Sequence, residues 1–359
     1  PPINHYHHHI TMTSTTTEIN PASALPTAEI FTGTAGYNYS EWRNNVFYPK
    51  GLKHADEFRH YSGVLSACEI NATFHGVPRE ETFANWYKNT KQGFVFALKI
   101  PTEITHEKRL DGIEEVFEFF ITRAQSKLKE KLGPVLFQLP PSLDKDIPKL
   151  KETCALATKH MCQFAFEFRS PTWYCDEVYM ILREHNAAIC ENFSPDGHTV
   201  QTKTITADWC YTRFHKNKQH GETNYAETSL SAAASHITDR CRQGLKQYLF
   251  FLNDVGGHGP KNAKQLVGIL SKSVANATPL NWKPDKVIEK GGLGSIGGMF
   301  AKMKSKPTDA SKQTKKRSQE TAFLQVPSST STSTSTSTSL APSTSTSTST
   351  STLTPTSSS

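Results

Sequence analysis

Five charged side chains stand inside or at the ends of otherwise apolar runs: Glu69, Lys99, Glu167, Arg169 and Arg213. A charge in such a run is expensive to bury unless it is paired or put to use. Their types allow two kinds of chemistry. Glu69 and Glu167, with His215, form a candidate acid/base set of the kind that cleaves glycosidic bonds. Lys99, Arg169 and Arg213 suit a phosphate or carboxylate better than a neutral ligand, because guanidinium and ammonium donors match anionic oxygens. Thr34, Asn71, His106, Gln138, Asn253 and Asp254 complete a candidate substrate-binding set. His75, His106, His215 and His258 could join the glutamates around a divalent metal, but their spacings match no metal motif, so a bound metal is not favoured. No organic-cofactor motif stands out. The segment VGGHGPKNA (Val255–Ala263) could cradle an anion at a helix N-terminus, although such turns are also ordinary loops. The plainer alternative is a ring of structural salt bridges.

These residues gain meaning from the elements that carry them. Short runs rich in β-branched and aromatic residues alternate with amphipathic stretches, the pattern of a parallel sheet with crossover helices. Eight strands are expected: Ile30–Thr34, Val64–Ile70, Phe94–Lys99, Pro134–Leu139, Gln163–Phe168, Ala187–Cys190, Trp209–Phe214 and Gln247–Leu252. Three- and four-residue apolar spacing predicts helices over Glu80–Lys91, Ile113–Lys131, Ile147–Lys159, Cys175–Asn186, Thr228–Gln243 and Asn262–Ser271. Glu191–Asp208 lacks that spacing and reads as an irregular loop. Eight strands favour a single α/β domain, a (β/α)8 TIM-like barrel, over an open doubly wound sheet. The candidate residues then gather at the carboxyl ends of the strands, the face where such folds place their ligands.

The chain has 359 residues and a formal charge of +7. Residues 281–320 hold ten Lys/Arg against four Asp/Glu, and residues 321–359 hold no charge, so the barrel is nearly neutral and the basic character belongs to the tail. The expected organisation is an N-terminal disordered segment over 1–28, a barrel over 30–271, a basic disordered tail over 281–327 and a Ser/Thr low-complexity tail over 328–359. The seven cysteines show no CxxC pair, and Cys68, Cys190 and Cys210 lie in apolar runs, which suits buried thiols in a reducing compartment. No apolar run is long enough to span a bilayer and no secretory signal is evident. An intracellular protein, cytoplasmic or nuclear, without a membrane partner is expected. His5–His9 reads as an unstructured polar run.

Several motifs in order resemble the YecE-like family, long catalogued as a domain of unknown function. They are GTAGYNYSEW (Gly33–Trp42), EINATFHGVP (Glu69–Pro78), FALKIPTEITHEKRL (Phe96–Leu110), LGPVLFQLPPS (Leu132–Ser142), FEFRSPTWY (Phe166–Tyr174), YTRFH (Tyr211–His215) and FLNDVGGHGPKNA (Phe251–Ala263). The resemblance covers nearly all of residues 30–269. It implies a (β/α) barrel and recurrent polar positions at Thr34, Glu69, Asn71, Lys99, His106, Gln138, Glu167, Arg169, Arg213, His215 and Asn253. It implies no particular reaction. Tyr37, His75, Lys216 and Asp254 depart from the family's usual residues, which bears on ligand identity more than on fold.

Three functions are compatible with these residues. The first is a hydrolase or lyase acting on a phosphate- or sugar-phosphate-bearing substrate at the barrel mouth. The second is a nucleic-acid maintenance factor, a nuclease-like barrel recruited to a sliding clamp. It rests on Lys290–Lys306, where Ile296, Met299 and Phe300 have the spacing of a degenerate clamp-binding box and Lys302, Lys304 and Lys306 follow. Lys315–Arg317 could serve nuclear import. The third is a non-catalytic barrel that binds a small molecule or a protein.

Overall fold

The computed structural model describes residues 25–194, 202, 204–216 and 223–282. Eight parallel strands close into a barrel in sequence order. They are β1 (Ile30–Ala35), β2 (Ala67–Ile70), β3 (Val95–Lys99), β4 (Leu132–Gln138), β5 (Phe164–Glu167), β6 (Ala188–Phe193), β7 (Trp209–Phe214) and β8 (Lys246–Phe251). β8 pairs with β1 in register Ile30↔Gln247 through Thr34↔Phe251, which completes the closure. The fold expected from the sequence is the one observed.

Helices follow the strands: α1 (His54–Val64), α2 (Glu80–Lys88), α3 (Glu114–Leu128), α4 (Ile147–Lys159), α5 (Asp176–Glu184), α6 (Glu227–Arg242) and α7 (His258–Leu270). Helix α1 is not among the expected helices. Its sequence HADEFRHYSGV carries only Phe58 and Tyr61 as large buried apolar groups, too few to produce a clear periodic stripe. Val64, expected to open the second strand, instead closes this helix. Between β6 and β7 no helix occurs among the described residues.

Strand alternation divides the core in two. Outward-facing residues such as Phe96, Leu98, Phe137, Phe166, Leu249 and Phe251 pack beneath the helices. Inward-facing Ala67, Ala97, Leu136, Ala165, Ala188, Trp209, Tyr211, Tyr248 and Phe250 fill the barrel. Alanines on β2, β3, β5 and β6 leave room for the large aromatics of β7 and β8. Gly33 has a related role: a Cβ there would lie 1.9 Å from the Ala67 carbonyl oxygen, so only glycine permits this approach of β1 to β2.

Packing continues past α7. Val274, Ala277 and Trp282 are buried. The Trp282 ring lies 5.1 Å from Phe47 in an edge-to-face contact, and Ala275 N–H donates to the Pro26 carbonyl. The histidine run His5–His9, nearly all of the basic tail, the Ser/Thr tail and the clamp-like Ile296, Met299 and Phe300 lie outside the described residues.

Candidate functional site at the barrel mouth

The alternation that fills the barrel with Ala67, Ala97, Leu136, Ala165, Cys190 and Tyr211 turns the residue two positions further along each strand to the same side. Those residues are Glu69, Lys99, Gln138, Glu167, Asn192 and Arg213. Six strands therefore deliver a polar residue to one layer at the carboxyl end of the barrel. Register supports the grouping, since Gln138 pairs with Glu167 and Asn192 with Arg213.

Arg213 is the hub. Its Nη2 donates to Glu69 Oε1 at 2.9 Å. Its Nη1 donates to Glu167 Oε2 and reaches Gln138 Oε1 at 3.4 Å. Glu69, Glu167 and Arg213 are all at most 2% exposed. The Tyr211 hydroxyl donates to the other Glu69 oxygen at 2.8 Å, and Arg169 Nη2 pairs with Glu167 Oε1 at 2.5 Å. Burial pushes the Glu167 carboxyl up, but Arg213, Arg169 and His215 outweigh it and bring the pKa down to about 2. Glu167 is thus held in its ionised form at neutral pH.

Lys99 differs from these residues. Its ammonium lies 3.7 Å from the Phe74 ring centroid, half-buried, and no described carboxylate or carbonyl lies within hydrogen-bonding or ion-pair distance of it. Burial lowers its pKa first and Arg213 second, against the pull of Glu69 and Glu167, leaving it at about 8. The loop after β2 sets this geometry. Thr73 Oγ1 lies 2.9 Å from the Ile70 carbonyl and 2.6 Å from the Lys99 carbonyl and donates its one proton to the nearer, which ties the loop to the end of β3 and lays Phe74 against Lys99.

His106 sits in a π turn, Glu103–Glu107, after β3. Its ring meets Phe74 edge-on at 5.1 Å, and Thr105 Oγ1 lies 2.9 Å from its Nδ1. Burial, then Lys99, Arg109 and Arg169, lower its pKa. On the opposite side, His215 Nε2 lies 2.8 Å from Asn192 Oδ1 and 3.9 Å from Glu167 Oε1. An accepting Asn192 oxygen suits the His215 tautomer that carries its proton on Nε2.

The remaining candidates stand apart from this layer. Thr34 faces the helices, where its hydroxyl lies 2.8 Å from that of Tyr61 and donates to the Gly36 carbonyl. Asn253 is buried behind the β8–α7 loop, donating to Thr223 O and Asn262 Oδ1. The Asp254 carbonyl accepts from Trp42 Nε1. Asn71 borders the layer just past β2, and its side-chain oxygen is buried with no partner among the described residues. Among the described residues no group of three or more His, Cys, Asp or Glu is gathered as metal ligands would be.

Two rim residues escape a reading from the sequence. Asn192 lies beyond Cys190, where the expected sixth strand ended, and the strand in fact runs to Phe193. Extending the inward parity of Ala188 and Cys190 by one step would have found it. Tyr211 reads as core from its apolar setting, and nothing in its spacing marks the hydroxyl as a partner of Glu69.

A closed parallel barrel with a buried Glu–Arg–Glu network and a half-buried lysine at its mouth defines the class: a (β/α)8 barrel whose polar groups converge at the strand ends. The family described as protein of unknown function DUF72 matches residues 31–285, and the chain belongs to it. The UPF0759 protein YunF of Bacillus subtilis (strain 168) is 25% identical over 283 residues, covering 70% of this chain and 98% of its own. A crystal structure of a DUF72 family protein from Thermotoga maritima is similar with a TM-score of 0.60 at 25% identity, covering 68% of this chain and 99% of that one. Another, from Enterococcus faecalis, shares the fold with a TM-score of 0.55 at 18% identity, covering 71% and 100%.

No described helix is long and apolar enough to cross a membrane. The seven cysteines form no disulfide, and five are buried.

Proposed function

We propose that the barrel mouth is the active site of an enzyme acting on a small substrate that bears a phosphate or carboxylate, with lyase chemistry favoured over hydrolysis. The observation that carries this reading is the charge balance of the strand ends. Glu69 and Glu167 are neutralised by Arg213 and Arg169, which leaves Lys99 as a cation without a carboxylate of its own among the described residues. A half-buried unpaired cation is costly to maintain and suits an incoming anion. Arg169, about a third exposed and with an Nε that has no partner among the described residues, adds a second cation beside it.

Hydrolysis by a carboxylate pair needs one glutamate protonated and one free to activate water. Glu167 is held ionised, and both glutamates are engaged by Arg213. They therefore act as positioning groups, and His215 and His106 are the proton carriers. The narrower YecE-like label rests on sequence motifs alone. An intracellular setting is part of the same reading, supported by the unpaired buried thiols. Recruitment to a sliding clamp through Ile296, Met299 and Phe300 stands as a separate proposal supported by their spacing. Clamp pull-down with wild type and Ile296→Ala/Phe300→Ala tests it, and no capture of the wild type would end it.

Thermal unfolding of the full chain at constant ionic strength tests the principal reading, using inorganic phosphate, glycerol 3-phosphate and neutral glycerol. A ligand at about 100 times its dissociation constant stabilises by about 2.7 kcal/mol. The phosphates should raise the melting temperature, glycerol should not, and Arg169→Gln should weaken the response. Equal responses to all three compounds would refute anion recognition.

A further inference from the structure

We propose that Lys99 is a nucleophile that forms an imine with an aldehyde or ketone carbonyl of the substrate, so the substrate class is a small carbonyl compound carrying a phosphate or carboxylate. The inference rests on the anion-binding reading above and narrows it.

Geometry is the first support. The amine stands at the carboxyl end of β3 over the face of Phe74 at 3.7 Å, with no described carboxylate or carbonyl bonded to it. The other charges of this layer are tied among the described residues: Glu69 and Glu167 to Arg213, and Arg169 to Glu167. By contrast, the buried Lys131 ammonium is consumed by the carbonyls of Tyr87 and Thr90 and by the Thr90 hydroxyl. Only a lysine without such bonds can present its lone pair to a carbonyl carbon.

Electrostatics is the second. Burial and the neighbouring Arg213 disfavour the ammonium and bring its pKa from 10.5 to about 8. At pH 7 this makes the free-amine fraction about 300-fold larger than for an unperturbed lysine. Desolvation beside a second cation is a known way to activate a lysine for this chemistry.

In the reaction, Nζ attacks the carbonyl carbon and forms the C–N bond while the C=O π electrons move to oxygen, which takes a proton. The C–O bond then breaks and the oxygen leaves as water with both amine protons, giving the imine. A further proton on nitrogen gives an iminium, whose charge stays over the Phe74 face where the ammonium stood. That iminium is the electron sink a lyase needs for breaking a neighbouring bond. His106, edge-on to the same ring at 5.1 Å, carries the protons.

Reductive trapping of the wild-type full chain tests this at pH 7 with sodium cyanoborohydride. Dihydroxyacetone phosphate and pyruvate are the anionic carbonyl probes, and dihydroxyacetone is the neutral one. Peptide mapping reads the adduct rate at Lys99 against exposed Lys151. The expected result is an adduct at Lys99 at least about 100-fold faster than at Lys151, faster with the anionic probes, slowed by inorganic phosphate and absent in Lys99→Arg. Labelling of Lys99 no faster than Lys151, in a chain that phosphate still stabilises, overturns the imine and leaves the anion site standing. Fast labelling of Lys99 that ignores both probe charge and phosphate supports the nucleophile and overturns the anion-binding reading instead. Neither preferential labelling nor a phosphate response would sink both.

Discussion

Replacing Arg213 with methionine tests the strand-end network most severely, because the side chain keeps much of its volume and loses all its charge. Two buried carboxylates depend on it. Glu167 would retain Arg169 at 2.5 Å, but Glu69 would keep only the Tyr211 hydroxyl at 2.8 Å. Removing one partner of a buried ion pair costs about 3–5 kcal/mol, because the other charge is left unpaired. That is a large part of the roughly 5–15 kcal/mol that holds a domain together. The loss should depend on pH with a definite sign. A buried carboxylate without its cation favours the protonated acid, so the folded variant binds a proton that the unfolded chain does not. Stability then falls as pH rises, and the damage is greater at pH 7 than at pH 5. Urea unfolding of wild type, Arg213→Met, Glu69→Gln and the double variant at both pH values measures this. The double variant should recover much of the loss, with a coupling of about 1–3 kcal/mol. A loss below about 1 kcal/mol, or strict additivity of the two substitutions, would refute the argument.

Three further predictions follow from the structure. Glu167 titrates at about 2 in the folded chain against 4.5 as the ordinary value, so its contribution of about 3 kcal/mol is fully present above pH 4.5 and is lost as pH falls through 2; acid unfolding of Glu167→Gln should show a correspondingly shallower pH dependence in that window. Arg240→Ala should cost about 3 kcal/mol or more in urea unfolding, since Arg240 grips the buried Glu191 on the outer face of β6 with bonds of 2.7 and 3.1 Å. Lys99→Met should leave stability unchanged or raise it, and a loss above 2 kcal/mol would mark Lys99 as a structural ion instead.

The barrel was legible because its cause is local. Runs such as FVFALK and WCYTRF are apolar on both faces, as strands buried on both sides must be, and the charges that interrupt them fall where the chain leaves the core. Glu69, Lys99, Glu167 and Arg213 could therefore be assigned to one rim before any contact was known. Pairing was not legible. Which carboxylate Arg213 takes depends on closure of β7 against distant β2 and β5, and no spacing in the sequence encodes it. Glu69 and Glu167 thus read as an acid/base pair, whereas Arg213 binds both. Thr34 illustrates a different loss: it lies at the end of β1, but its parity turns it outward to Tyr61. Helix α1 was missed because two aromatics and a glutamate anchor it, with little apolar periodicity.

The central claim is that barrel closure leaves Lys99 as a surplus, easily deprotonated cation open to an anion. Its most direct test is the titration of the Lys99 side chain by NMR in the full chain, assigned by loss of the signal in Lys99→Arg, with and without inorganic phosphate. A midpoint near 8 that moves upward when phosphate binds is the expected result. A midpoint near 10.5 that phosphate leaves in place would contradict the account.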